Sequence, residues 1–150
     1  MQKITPFLWF DGQLEEAMNF YTGIFKNAKI IHANILEGKM LTAIFQLEGQ
    51  EFMGLNGGPM FKFTEAVSFF VNCQTQEEVD DLWDKLSAGG SIQQCGWLKD
   101  KFGLSWQIIP AALMELLHSK DPVKSNRVMQ AMLKMKKMDI KTLQEAHDLE

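Results

Sequence analysis

The chain has 150 residues, 46% of them hydrophobic and 23% charged, which is enough for one domain with a sizeable core and excludes the disordered and fibrous classes. Its net charge is −4, and its positive charge rests on fourteen lysines and one arginine, Arg127. Nucleic-acid readers lean on the planar guanidinium fork to hold two phosphate or base-edge acceptors at once, so this balance speaks against a nucleic-acid partner.

The opening Met-Gln-Lys-Ile-Thr-Pro has no basic run followed by an apolar leader, and no later stretch reaches membrane-spanning length. A cytoplasmic chain with no membrane partner is the expectation. The apolar run Phe7-Leu8-Trp9-Phe10 predicts a buried strand. From Gly12 to Phe25 the apolar positions 14, 17, 18, 20, 21 and 24 fall on one helical face. Three β-like runs follow, Lys29 to Leu36, Met40 to Leu47 and Glu51 to Leu55, with Glu37-Gly38 and Glu48-Gly49 as hairpin turns.

The same order then repeats 62 residues on, where Glu15-Glu16-Ala17 returns as Glu77-Glu78-Val79, Phe20-Tyr21 as Leu82-Trp83 and Ile24 as Leu86. Val67 to Val71 predicts the second opening strand, and Thr75 to Leu86 the second helix, started by a capping box of Thr75 and Glu78. Ser91 to Trp97 and Leu104 to Ile109 predict further strands. Each module therefore reads β-α-β-β-β, the first over about 1–60 and the second over 64–110. Beyond Pro110 the pattern turns helical over Ala111 to His118, Val123 to Met135 and Ile140 to Leu149, with Asp121-Pro122 as a helix start. The extension 111–150 is too small to fold alone, and packs on the same domain or on a dimer partner. Met129, Met132, Met135 and Met138, three residues apart, suit such a contact.

Two tandem modules that open on a strand, Asp-Gly and a helix ending in Phe-Tyr, here Phe10-Asp11-Gly12 through Phe20-Tyr21, resemble the glyoxalase, bleomycin-resistance and extradiol-dioxygenase (vicinal oxygen chelate) superfamily. Within it, Trp9-Phe10-Asp11-Gly12, Leu55-Asn56-Gly57-Gly58-Pro59 and the run from Gly96 through Trp106-Gln107 to Pro110 resemble the PhnB-like branch, whose label is 3-demethylubiquinone-9 3-methyltransferase. The resemblance implies an α+β fold over 1–110, two βαβββ modules forming a curved-sheet barrel, with C-terminal helices and a homodimer.

The superfamily's enzymes hold a divalent metal on His and Glu from the first and last strand of each module. Carried across by the Phe20-Tyr21 anchor and the repeat, those positions fall near Pro6, Met53, Ser68 and Gln107. A proline and a serine do not replace histidine, and a neutral amide is a weak ligand for a divalent ion. His32, His118 and His147 are scattered and offer no substitute set. The expectation is therefore no metal and no cofactor. Methyl transfer from S-adenosylmethionine commonly uses a glycine-rich loop that opens a helix, whereas Gly57-Gly58 runs into Pro59-Met60 with no helical pattern behind it.

A metal-free binder of a small molecule is the leading functional expectation. Trp9, Phe45, Phe69, Trp97 and Trp106 are candidates for apolar walls, and Asn56, Ser68 and Gln107 for polar groups that orient a ligand. For any one of these aromatics the competing reading is simple core filling. The functional alternative is an enzyme, either a metal-dependent lyase, isomerase or dioxygenase or the methyltransferase of the family label. Glu15-Glu16 and Glu77-Glu78 read as solvated helix starts rather than catalytic pairs. Lys99-Asp100-Lys101 reads as a charged turn, and Cys73 and Cys95 as structural thiols.

Overall fold

Alternating burial builds the first sheet. In the computed structural model, which describes residues 2–149, β1 (Phe7–Phe10), α1 (Leu14–Ile24), β2 (Ala28–Leu36), β3 (Lys39–Leu47) and β4 (Gln50–Asn56) form one compact unit, Met1–Phe63. The strand order is β1-β4-β3-β2, with β1 parallel to β4 and the other pairs antiparallel. Ala43, Phe45 and Leu47 of β3 are buried on the face that meets α1, whose Leu14, Ala17, Met18 and Tyr21 have no solvent exposure. Phe45 lies between the Tyr21 ring, 6.4 Å away, and the Phe52 ring, 5.3 Å away. Each fully buried Leu, Met or Phe here contributes about 1.5 to 3 kcal/mol of apolar burial.

Both predicted hairpin turns form as two-residue loops. Glu37 and Gly38 have φ 51° and 77°, and Glu48 and Gly49 have φ 49° and 83°. Two successive left-handed residues make the turn whose twist matches that of the flanking strands, which is why glycine stands second in each.

The second unit, Thr64–Glu150, repeats the connectivity with β5 (Ser68–Cys73), α2 (Gln76–Ser87), β6 (Ser91–Ile92), β7 (Trp97–Lys99) and β8 (Ser105–Pro110), in sheet order β5-β8-β7-β6. The Thr75 hydroxyl accepts a hydrogen bond from the Glu78 amide at 3.2 Å, so the predicted cap starts α2. The predicted strand from Ser91 to Trp97 is broken instead. Cys95 (φ 57°) and Gly96 (φ 82°) turn left-handed, and their amides donate to the Met135 and Lys136 carbonyls, both at 2.8 Å, rather than to a neighbouring strand.

The extension forms α3 (Ala111–Leu117), α4 (Pro122–Leu133) and α5 (Ile140–Asp148) within the second unit. Asp121 caps α4 through the Val123 amide at 3.0 Å, and Asp139 caps α5 through the Thr142 amide at 3.0 Å. Arg127 donates to the Ala146 and His147 carbonyls at the end of α5, so the chain's one guanidinium closes the helices on each other. Of the methionine row, Met138 is fully buried, Met132 and Met135 are half-buried and Met129 is exposed. Among the described residues no helix is long and apolar enough to cross a membrane.

Gln76, at the start of α2, clamps the extension. Its Nε2 donates to the Met138 carbonyl at 2.9 Å and to Asp80, and its Oε1 accepts from the Ile140 amide at 2.8 Å. Gln76→Ala is expected to cost about 1 to 2 kcal/mol in urea unfolding and to speed tryptic cleavage between Lys134 and Lys137. Asp80 also pairs with Lys137 at 2.9 Å, and Gln76 and Lys137 together hold its carboxyl below the ordinary value. A depressed carboxylate stabilises the fold above its unfolded pKa and loses that contribution as pH falls through the folded value. Peptic nicking of this segment should therefore increase below about pH 4, and an Asp80→Asn variant should show less of that dependence.

Candidate functional site

Strand alternation gives the second sheet two chemically distinct faces. The face packed on α2 carries Leu98, Trp106 and Ile108, all buried, and Cys73, whose thiol burial and the nearby Glu78 carboxylate push up to about 12. The opposite face carries Ser68 and Phe70 of β5, Ser105 and Gln107 of β8, and Trp97 of β7. The register sets Ser68 against Ser105, Phe70 against Gln107, and Trp97 against Gln107. Gln107 Nε2 donates to Ser68 Oγ at 2.9 Å. That leaves the Ser68 hydroxyl proton free to donate outward and the Gln107 carbonyl oxygen free to accept.

Beside them, Ser105 has no exposure, and its Oγ has no hydrogen-bond partner among the described residues. An unpaired buried hydroxyl costs about 1 to 3 kcal/mol, so such a group calls for an explanation. Trp97 and Ser68 are half-buried, and Phe70 is 51% exposed. Lys99, on the same face, pairs with Glu65 and holds that carboxyl below its ordinary value. The face thus offers neutral hydroxyl and amide groups between two aromatic rings.

The eight candidate binding residues separate by face. Ser68, Trp97 and Gln107 come together on the face just described. Phe69 and Trp106 lie on the α2 side, their rings 5.4 Å apart. Phe45 belongs to the core of the first unit. Asn56 also points toward α1, where its Oδ1 accepts from the Leu14 amide at 2.9 Å and its Nδ2 donates to the Met40 carbonyl at 3.0 Å. The helix's own N-cap residue, Gln13, makes no side-chain cap, so Asn56 supplies one from β4. Asn56→Ala is expected to lower stability by about 2 kcal/mol, and Asn56→Asp by less, in thermal unfolding followed by circular dichroism.

Trp9 stands on the first sheet's face away from α1. Its Nε1 donates to the Gly58 carbonyl at 2.8 Å, and its ring meets Phe61 edge-on at 4.9 Å. A Cβ at Gly57 would lie 2.5 Å from the indole, which explains the glycine there.

Two residues were not singled out from sequence, and a third, Asp100, reads there only as part of a charged turn. Phe70 and Ser105 share the polar face, each directly opposite a position that was, Gln107 and Ser68. Asp100 is 3% exposed, and its carboxylate accepts from the Phe102 and Leu104 amides and from Trp106 Nε1, at 2.9, 3.1 and 2.9 Å. It is a buried organiser of the turn before β8 rather than a solvated charge.

The four positions matched to the superfamily's metal ligands do pair up in space. The Met53 amide donates to the Pro6 carbonyl at 2.9 Å, and Gln107 bonds Ser68. The side chains there are a pyrrolidine, a thioether, a hydroxyl and a carboxamide, none of them charged, and this donor set does not fit a divalent ion. Among the described residues no group of three or more His, Cys, Asp or Glu is placed to hold one.

A family model described as 3-demethylubiquinone-9 3-methyltransferase matches residues 2–109. A PhnB protein from Bacillus cereus is 40% identical, with a TM-score of 0.70, over 73% of this chain and 100% of its own. Protein PA1353 from Pseudomonas aeruginosa is 20% identical, with a TM-score of 0.60, over 73% of this chain and 98% of its own. The fosfomycin resistance protein FosX from Listeria monocytogenes, solved with Mn(II) and sulfate, is 18% identical, with a TM-score of 0.54, over 71% of this chain and 89% of its own, a likeness of fold. The search of curated proteins gave no match. The model match and the Bacillus cereus relative together place this chain in the PhnB-like, 3-demethylubiquinone-9 3-methyltransferase family of the glyoxalase and bleomycin-resistance fold.

Proposed function

We propose that the protein binds a small, neutral, partly aromatic molecule on the Ser68, Gln107 and Trp97 face of the second sheet, without a metal ion. The observation that carries this reading is the Gln107–Ser68 hydrogen bond, which puts an uncharged polar pair at positions matched to the superfamily's metal-holding side chains, beside the half-buried Trp97 and the exposed Phe70. Phe70 and Trp97 supply apolar surface, and the Gln107 amide and the Ser68 hydroxyl supply direction, the combination small-molecule sites use. The reading includes a reducing, cytoplasmic setting in which Cys73 and Cys95 remain thiols.

The test has two arms. Elemental analysis of the purified chain, after dialysis against Zn²⁺, Ni²⁺, Mn²⁺ and Fe²⁺, should find far less than one metal per chain. A thermal-shift screen of uncharged phenols, quinones and carboxamides should find a stabiliser whose effect disappears in Gln107→Ala. A ligand at a hundred times its Kd stabilises by about 2.7 kcal/mol, ample for detection. One metal per chain, lost in Gln107→Ala, would replace this reading with a metal-dependent enzyme. Saturable stabilisation by S-adenosylmethionine would replace it with the methyltransferase.

A further inference from the structure

The loop that joins α3 to α4 and the last turn of α5 bring a hydroxyl, an imidazole and a carboxylate together. Ser119 Oγ lies 3.2 Å from His147 Nε2, and His147 Nδ1 lies 2.8 Å from Asp148 Oδ1. The other Asp148 oxygen accepts from Gln144 Nε2 at 3.0 Å, one turn back on the same helix. His147 and Gln144 together hold the Asp148 carboxyl below its ordinary value, so it is charged at neutral pH. A carboxylate only accepts, so a neutral His147 ring carries its proton on Nδ1, and Nε2 is left to accept from the Ser119 hydroxyl. The Asp121 amide donates to Ser119 Oγ at 3.4 Å, which favours negative charge on that oxygen. The Lys120 amide, next in the chain, has no hydrogen-bond partner among the described residues. The amide that follows a nucleophilic serine is a common donor to the oxyanion of acyl transfer.

We propose that Ser119, His147 and Asp148 form a hydrolytic site in the extension, one that cleaves small activated esters. Ser119 Oγ attacks the ester carbonyl carbon as its proton passes to His147 Nε2. The tetrahedral adduct expels the alcohol, which takes that proton, and Ser119 is left acylated. Water then attacks the acyl carbon, His147 Nε2 takes the water's proton and returns it to Ser119 Oγ, and the carboxylic acid leaves. Ser119 is the nucleophile, His147 the general base and acid, and Asp148 the positioning residue that fixes the ring's tautomer. The His147 side chain is 18% exposed and its carbonyl is held by Arg127, so the imidazole is fixed from both ends. Asp148 is 59% exposed and holds the ring less firmly than a buried carboxylate would. That limits the chemistry to acyl groups on good leaving groups, such as aryl esters, rather than amides. The site lies outside residues 2–109, the span of the family match, and does not rest on the ligand proposed above.

Treatment of the full chain with an alkyl fluorophosphonate, whose fluoride Ser119 Oγ would displace, and with p-nitrophenyl acetate tests this. The expected result is about one phosphonyl group per chain, found by mass spectrometry on Ser119 in the tryptic peptide 102–120, and a burst of p-nitrophenol of the same size. His147→Ala should slow both reactions about a hundredfold, the lower end of what general-base assistance supplies. His118→Ala removes the exposed neighbouring imidazole and should change neither. Asp148→Ala should slow labelling about fivefold, because an exposed charge pair is weak. It should also shift the His147 ring-nitrogen NMR signals from the Nδ1-protonated to the Nε2-protonated tautomer, a change that a merely structural carboxylate would not produce. Unchanged circular dichroism will show that the variants fold. Acylation confined to lysines would overturn the proposal. Ser119 labelling indifferent to His147→Ala, or a tautomer indifferent to Asp148→Ala, would do the same.

Discussion

Asp100→Ala is expected to destabilise the second unit by about 3 to 4 kcal/mol, the largest single effect foreseen for a polar residue of this chain. Its carboxylate is 3% exposed and receives two backbone amides and the Trp106 indole N–H. Hydrogen bonds to a charged acceptor are each worth about 1.5 to 3 kcal/mol, and deletion leaves buried donors with nothing to meet. Asp100→Asn separates the contributions. Its remaining oxygen can still accept from Phe102 and Leu104, whereas an amide nitrogen turned to Trp106 would face another donor, so a loss of about 1 to 2 kcal/mol is expected. Urea unfolding followed by tryptophan fluorescence measures both. If Asp100→Ala lost less than Asp100→Asn, the turn would be organised by apolar packing and not by this carboxylate.

Asp100 also shows why part of the site was hidden in the sequence. Flanked by Lys99 and Lys101, it has the local signature of a solvated turn, and nothing in a window of that size reveals that the chain folds the carboxylate under Trp106. The modules themselves were legible because they rest on periodicity. Apolar spacing of the helices, the Glu-Gly turns and the repeat 62 residues on are local or self-repeating signals, and each gave the element found. The strand predicted from Ser91 to Trp97 failed for a non-local reason, since Met135 and Lys136 capture the amides of Cys95 and Gly96 from about forty residues away.

The candidate site was legible to the extent that alternation could be anchored. Matching Phe20-Tyr21 and its repeat located Ser68 and Gln107, which the structure joins by a hydrogen bond. Aromatic residues gave no such anchor. Trp97 and Trp106 are nearly as close in sequence as in type, but the pleat sends them to opposite faces, one beside Gln107 and the other onto α2 and Asp100. Asn56 reads from sequence as a polar group that could orient a ligand, and its bonds, to Leu14 and Met40, require knowing that β4 ends beside the start of α1.

Gly96→Ala is expected to cost about 3 kcal/mol or more and to loosen α3 to α5 from the sheet. Gly96 has φ 82°, where an L side chain is strained by about 1 to 2 kcal/mol before any contact is considered. A Cβ there would also lie 2.8 Å from Ile109 Cδ1, 2.9 Å from the Ile108 carbonyl oxygen and 3.4 Å from Met138 Cγ. The carbonyl is part of β8 and cannot yield without disturbing the bond from the Ile108 amide to the Gly96 carbonyl at 2.8 Å. Gly12 is the natural control, because its φ of 76° imposes similar strain but nothing lies within 4 Å of the added carbon. Gly12→Ala should therefore cost only about 1 to 2 kcal/mol. The family match ends at residue 109, so Gly96 is where the shared fold accepts the added helices, through its amide on Lys136. Faster tryptic cleavage at Lys134, Lys136 and Lys137 in Gly96→Ala, with no change in Gly12→Ala, would mark that junction as the anchor of the extension. Equal losses in the two variants would mean that backbone strain alone sets the penalty and that the extension is held mainly by Gln76 and its own buried side chains.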